Sequence, residues 1–298
     1  MAHSSEGNVA KTVTSSRSSK PKLGQHFLTG SASAQRIVDA LGDISKNTVL
    51  EIGPGRGALT SLLARKVRRL IAVELDRVLS AQLRMKFSLT PNVEIIEADI
   101  LALDFDSIFG PKPGSTRPGL ELTPERIHVV GNLPYYITSE LLLRLFAYRK
   151  YFDLVVVMVQ KEVADRLAAK PGGAEYGLLS ATAQLYGRVE RLFTLAPGAF
   201  SPPPKVDSAV VRITIEPKLD ELRVAAAPFI DFLRLSFGQK RKTLWNNLRE
   251  NYDTKVLRAA MEESKVDPGI RAEALSLEKS AALFRTLANG NPSTLGVK

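Results

Sequence analysis

The sequence predicts an α/β protein: a Rossmann-like domain over residues 23–216, followed by a small all-helical domain over residues 217–298. Three observations predict it. Short apolar runs of strand character alternate with amphipathic helical stretches, the pattern of a parallel sheet covered by helices. The first of these runs opens into a glycine-rich turn. The alternation stops at Glu216-Pro217, and no strand pattern recurs beyond it. A chain of 298 residues with 44% hydrophobic side chains has material for one large core and one smaller unit.

The elements follow in order. Residues 1–22 are rich in Ser, Lys and Arg and poor in apolar groups, which predicts a disordered basic tail without the apolar segment of a secretory signal. A helix is expected from Ala34 to Leu41, then a buried strand from Thr48 to Ile52 and a helix from Ala58 to Lys66. A second strand runs from Leu70 to Glu74, with a helix from Arg77 to Phe87, and a third strand from Val93 to Glu97. Residues 104–126 hold four prolines and three glycines and read as a surface insertion outside the core. Strands follow at Ile127 to Gly131 and Leu154 to Val159, with a helix between them at Ser139 to Tyr148. Helices at Lys161 to Ala169 and Leu178 to Tyr186 precede a closing pair of strands, Val189 to Leu195 and Ala209 to Ile215.

Composition excludes several classes. Without Cys there is no disulfide framework, thiolate nucleophile or Cys-based metal site, and three scattered His make no metal cluster, so no metal is expected. The longest apolar run, Leu154 to Val159, is far short of the roughly 18 residues of a membrane span. A cytoplasmic protein that binds no membrane is expected. The net charge of +10 points to a polyanionic partner. The excess is spread evenly, +3 in residues 1–22, +3 in 23–216 and +4 in 217–298. One window is sharper: Phe232 to Arg249 contains Arg234, Lys240, Arg241, Lys242 and Arg249 and no carboxylate. Lys240, Arg241 and Lys242 are the candidate contacts to the phosphates of a nucleic acid; Phe237 and Trp245 in the same window read as core residues.

The chemistry concentrates at strand ends. Gly53-Pro54-Gly55-Arg56-Gly57 lacks the spacing of a pyrophosphate-binding turn and the Lys-Ser/Thr of a P-loop. With Glu51 before it, the turn suits a ligand with a cationic amino-acid portion. Glu74 ends the second strand, where a carboxylate can accept both ribose hydroxyls of a nucleoside. Asp99 follows the third strand, placed to accept from an adenine amine, and Asn132 follows the fourth. Ligands of open parallel sheets bind outside the carboxyl ends of the strands, so these groups share one crevice. The ligand they imply is S-adenosylmethionine, a phosphate-free nucleoside with a charged tail.

Asn132-Leu133-Pro134-Tyr135 supplies what methyl transfer to an aromatic amine needs. The lone pair of such an amine is delocalised, and two acceptors on its N–H bonds favour the pyramidal geometry and the positive charge of the transition state. The Asn132 side-chain oxygen is one acceptor and a backbone carbonyl near Pro134 the other. Pro134 stiffens the loop and Tyr135 offers a stacking face.

Seven segments in order carry a resemblance: Lys22 to Leu28 (KLGQHFL), Val49 to Gly57 (VLEIGPGRG), Val73 to Asp76 (VELD), Glu97 to Asp99 (EAD), Gly131 to Tyr136 (GNLPYY), Phe200 to Ser208 (FSPPPKVDS) and Phe237 to Leu244 (FGQKRKTL). Over residues 20 to about 287 the sequence resembles the ribosomal RNA adenine dimethyltransferase family. The resemblance implies a class I S-adenosylmethionine-dependent methyltransferase fold. It also implies dimethylation of two adjacent adenines in a hairpin near the 3′ end of small-subunit rRNA, with the assembling 30S subunit as partner and a monomeric enzyme. By the same resemblance His26, Leu28, Gly53, Glu74, Asp99 and Asn132 contact the cofactor, and Phe200 stacks on the target adenine opposite Tyr135. His26 departs from the Asn common in bacterial members, and its donor or acceptor role is left open. Two other readings stand beside this one: a large-subunit rRNA adenine methyltransferase of the resistance type, and a non-catalytic rRNA-binding assembly factor.

Overall fold

The structure, a computed structural model, describes residues 25–110 and 126–290. The tail over residues 1–22 and most of the expected insertion lie outside the described residues. The described residues form nine strands: β1 (Phe27–Leu28), β2 (Thr48–Ile52), β3 (Arg69–Glu74), β4 (Val93–Glu97), β5 (Ile127–Asn132), β6 (Phe152–Gln160), β7 (Gly187–Leu195), β8 (Phe200–Ser201) and β9 (Ser208–Ile215). The α-helices are α1 (Ser31–Asp39), α2 (Thr60–Leu63), α3 (Arg77–Lys86), α4 (Phe105–Phe109), α5 (Thr138–Ala147), α6 (Lys161–Leu167), α7 (Leu178–Tyr186), α8 (Leu219–Leu222), α9 (Ala226–Ser236), α10 (Leu244–Leu248), α11 (Thr254–Glu263) and α12 (Leu277–Gly290).

Seven strands form one sheet in the order β4-β3-β2-β5-β6-β9-β7. The neighbours from β4 to β6 pair in parallel, and β9 pairs antiparallel with both β6 and β7. The chain winds outward from β2 to β4, then restarts at β5 on the other side of β2. That reversal places a switch point between β2 and β5, where crevices form in doubly wound sheets. The strand period of two sorts side chains onto two faces. Val49, Leu70, Val130, Val156 and Met158 face α1 and α2, whereas Leu50, Ile71, Val129, Val155 and Val157 face the opposite core. That second core runs without a break from α5, α6 and α7 into Phe229, Phe232, Leu257, Met261 and Leu283. The helices beyond Leu219 therefore pack as a continuation of one sheet face, the geometric consequence of an amphipathic α9 lying against α7.

The closing pair is Gly187–Leu195 with Ser208–Ile215, close to the expected bounds. The helix expected over Ala58 to Lys66 is regular only over Thr60–Leu63; turns such as Lys66 N–H to Leu63 O at 2.8 Å complete the rest. The larger correction is at residues 104–110. This stretch is not a surface insertion: Asp104 caps α4 by accepting from Asp106 N–H at 3.0 Å, and the helix buries Phe105 completely. The Phe105 ring meets Tyr148 edge-on at 5.1 Å and Phe152 at 5.5 Å. Asp106 accepts from Lys150 Nζ at 2.6 Å and from Tyr151 O–H at 2.5 Å, fastening the helix from outside. Prolines from position 111 onward masked this anchor, because composition averaged over the window reports the later residues.

Phe105→Ala removes a fully enclosed ring and leaves a cavity, which costs about 3–5 kcal/mol. Urea unfolding of the variant should show a loss of that size; a loss below about 1 kcal/mol would return α4 to the surface.

Candidate active site

The carboxyl ends of β2, β3, β4 and β5 enclose a cavity of about 240 Å³. His26, Gly53, Glu74, Asp99, Asn132, Pro134 and Tyr135 all line it. Glu74 sits at the centre. It is 4% exposed, its Oε2 accepts from Gly55 N–H at 2.9 Å, and its Oε1 accepts from Asp76 N–H at 2.9 Å. Each oxygen keeps a further acceptor site for a ligand hydroxyl. The glycine turn is shaped by this carboxylate and by Phe27. A Cβ on Gly55 would lie 2.9 Å from the Phe27 ring, and φ there is +57°, so close approach and backbone sign both demand glycine. Asp76 goes on to cap α3, accepting from Val78 N–H at 2.8 Å and Leu79 N–H at 3.1 Å. Asp99 remains exposed at its strand end, with Oδ1 held by Leu101 N–H at 2.9 Å.

Glu51 lies behind the same turn and is 1% exposed. Its Oε2 has no hydrogen-bond partner, and neither has the adjacent Thr60 Oγ1. Burial pushes its carboxyl up to about 8; Thr60 moderates the shift and Glu74 adds to it. Glu51, Leu28 and Leu59 line a small second cavity of about 40 Å³ that shares Gly53, Gly55 and Asn132 with the main one.

Asn132 ends β5, and its side-chain N–H donates to the His26 carbonyl at 2.8 Å. That bond fixes the amide so that Oδ1 is the free acceptor. His26 is itself pinned: Nδ1 lies 2.8 Å from the Pro202 carbonyl. A carbonyl only accepts, so Nδ1 carries the proton, and Nε2 of the neutral ring is an acceptor. The His26 ring stacks on Tyr135 at 6.0 Å and 28°, and the Tyr135 hydroxyl is 2.8 Å from the buried Ser208 Oγ. Tyr135 is therefore held at both ends. The Pro134 carbonyl is engaged at the start of α5, accepting from Ile137 N–H at 3.2 Å and Thr138 Oγ1 at 3.1 Å.

The profile of the ribosomal RNA adenine dimethylase family matches residues 16–289. The chain belongs to that family. Among its curated relatives is ribosomal RNA small subunit methyltransferase A of Koribacter versatilis (strain Ellin345), 54% identical over 95% of this chain and 99% of the relative. The protein of the same name from Acidobacterium capsulatum is 53% identical over 90% of this chain and 91% of the relative. Two solved structures share the fold. A dimethyladenosine transferase from Plasmodium falciparum superposes with a TM-score of 0.72 at 24% identity, over 90% of this chain and 98% of that one. The 23S rRNA methyltransferase ErmE superposes with a TM-score of 0.64 at 26% identity, over 88% of this chain and 99% of that one.

Three of the nominated residues have surroundings that the sequence did not show. Phe200 is 4% exposed and packs in the core beside α1 and α2, outside the cavity lining, because β8 pairs with β1 and sets Phe200 opposite Leu28. Through that pairing it supports the segment that follows His26. Leu28 lies in the small second cavity, on the far side of the glycine turn. Lys240 is exposed, and its Nζ donates to the Ala174 carbonyl at 2.6 Å, joining the turn after α9 to the loop before α7. Arg241 is exposed and Lys242 half-buried, neither with a carboxylate partner among the described residues. Phe237 and Trp245 are half-buried against the core, as expected. Sequence reasoning missed Ser208 and Phe27 as positioning residues; both lay inside quoted motifs, but their roles depend on contacts across the fold. Among the described residues no group of three or more His, Asp or Glu is arranged to hold a metal, and no helix is long and apolar enough to cross a membrane.

The Glu51 shift has a direct consequence. With its folded value raised from 4.5 to about 8, the folded protein holds a proton that the unfolded chain releases, so stability falls as pH rises through that window. Glu51→Gln should flatten the pH dependence of unfolding between about pH 5 and 8, by up to about 1.4 kcal/mol per pH unit. An identical slope in chemical denaturation of both proteins would show that Glu51 ionises freely.

Proposed function

We propose that this chain transfers methyl groups from S-adenosylmethionine to the N6 amine of two adjacent adenines in a hairpin near the 3′ end of small-subunit rRNA, giving dimethyladenosines. Family membership and curated relatives more than 50% identical over nine-tenths of the chain support that reading. The large-subunit alternative rests on a likeness at 26% identity. The observation that carries the chemistry is the Asn132 amide, locked by the His26 carbonyl with its oxygen free at the cavity.

The residues present fit the cofactor. Glu74 offers two acceptors to the ribose, Asp99 accepts from the adenine amine, and Gly53 leaves room beneath the methionine portion. The Glu51 carboxyl lies behind the turn, and its Oε2 has no hydrogen-bond partner among the described residues, so it offers a buried acceptor next to the methionine portion. His26 closes the N-terminal side, and Leu28 lines the small cavity that adjoins it at the glycine turn. When bound, S-adenosylmethionine supplies an electrophilic methyl on a sulfonium.

The chain's own part is positional. Tyr135, held by Ser208, presents a ring face to the target base. Asn132 Oδ1 accepts one N–H of the amine. The second acceptor is not the Pro134 carbonyl, which α5 already engages. The preceding Leu133 carbonyl, to which no donor is bound among the described residues, takes that place. These acceptors draw the nitrogen toward tetrahedral geometry and stabilise the charge that grows on it. Each transfer forms an N–C bond, breaks an S–C bond and releases one amine proton. A monomeric cytoplasmic enzyme acting on the assembling 30S subunit completes the reading, with Arg241 and Lys242, and Lys240 once its Ala174 contact yields, meeting rRNA phosphates.

The test is a methylation assay on small-subunit particles and on protein-free rRNA, with the modified bases mapped. Two dimethylated adjacent adenines are expected. Asn132→Ala should lower kcat by about 10²–10³-fold; a kcat near that of the parent protein would overturn the role given to the amide.

A further inference from the structure

Tyr136 follows the base-stacking Tyr135 and behaves differently in every respect. It is 66% exposed and is the one exposed aromatic among the described residues. It lines the mouth of the main cavity, yet its ring makes no aromatic contact and its hydroxyl no hydrogen bond among the described residues. Leu75, 48% exposed, borders the same mouth. Every other aromatic side chain described is buried or half-buried, so this ring stands apart as an exposed face without a partner among the described residues.

We propose that Tyr136 is a stacking platform for the nucleotide next to the target adenine, and so a substrate-positioning residue. The inference rests on the reading of the cavity as an RNA adenine site. Three observations favour a nucleobase. The ring stands one residue from Tyr135, so the two aromatics flank one cavity mouth, as neighbouring bases of a splayed strand require. Its chain neighbours Ser139 and Glu140 are exposed and polar, and Leu75 is the one other exposed large apolar residue at this mouth among the described residues, which is less than the broad apolar patch that protein partners use. The cofactor wall of the cavity is already furnished by Glu74, Asp99, Ile100 and Leu101, whereas Tyr136 faces solvent, where a strand must enter. A base stacked on this ring would hold the strand while its neighbour sits against Tyr135. An enzyme acting on two adjacent adenines needs such a second seat, since each adenine must leave the pocket while the other enters.

The test uses the rRNA hairpin with 2-aminopurine in place of one of the two adenines. This base fluoresces, is quenched by stacking, and lacks the 6-amine, so it reports a neighbour without being methylated. Wild-type protein and Tyr136→Phe should quench it on binding. Tyr136→Leu, apolar but without a ring, should not, and Tyr136→Ala should raise the RNA KM about tenfold with S-adenosylmethionine affinity unchanged by calorimetry. Equal quenching by wild type and Tyr136→Leu would overturn the proposal. So would weakened cofactor binding with unchanged RNA KM, which would place the ring over the cofactor, or an unchanged RNA KM with loss of a protein partner from the assembling subunit. The quenching is read from binding alone, so an inactive wild type that still quenches would strike the assigned reaction and leave the stacking seat standing.

Discussion

One carboxylate organises the centre of this molecule. Glu74 is nearly sealed from solvent, and it spends one oxygen on the Gly55 amide and the other on the Asp76 amide. The first bond holds the glycine turn after β2 against the end of β3. The second starts the cap of α3. Two strands and a helix are thereby fixed to each other at the cavity floor by charge-assisted bonds, which are stronger and more directional than neutral ones. The turn in turn demands glycine where Phe27 presses on it, and Phe27 opens the short strand that directly follows His26. His26 holds Asn132 through its carbonyl and Tyr135 through its ring. The Asn132 amide is thus set by a chain of contacts that begins at Glu74 and ends two strands away.

The sheet was readable in the sequence because its inner strands are buried on both faces and so appear as apolar runs bounded by turns, whereas the edge strands β4 and β7 are partly exposed. Val93–Glu97 and Leu178–Tyr186 stand at the expected bounds, and β2, β3 and β5 within a residue of them. Strand-end chemistry was readable for the same reason: a polar residue just past an apolar run can only sit at the sheet's edge. Features set by long-range pairing were not. Nothing local tells Phe200 that β8 will pair with β1 and turn its ring into the core. Nothing local shows that α5 will claim the Pro134 carbonyl, or that Lys240 will reach Ala174 across the fold. The hidden Phe105 helix has a different cause, a short structured anchor next to a proline-rich run.

Electrostatics divides the labour. The cavity is lined with acceptors and carboxylates, suited to a cationic cofactor and to an amine that gains positive charge. The basic excess lies elsewhere, on the turn after α9 and dispersed over the surface, where phosphates can be met without competing with the site. Rings occupy the border between the two: Tyr135 fastened inside, Tyr136 unpartnered at the rim.

The cavity floor therefore depends on Glu74, and titration of S-adenosylmethionine into the wild type and Glu74→Ala by calorimetry tests that dependence most directly. Loss of hydrogen bonds to a charged group costs about 1.5–3 kcal/mol, so the variant should bind the cofactor about 10- to 150-fold more weakly while remaining folded. An affinity within twofold of the wild type would contradict the claim that this carboxylate holds the ligand and the turn together.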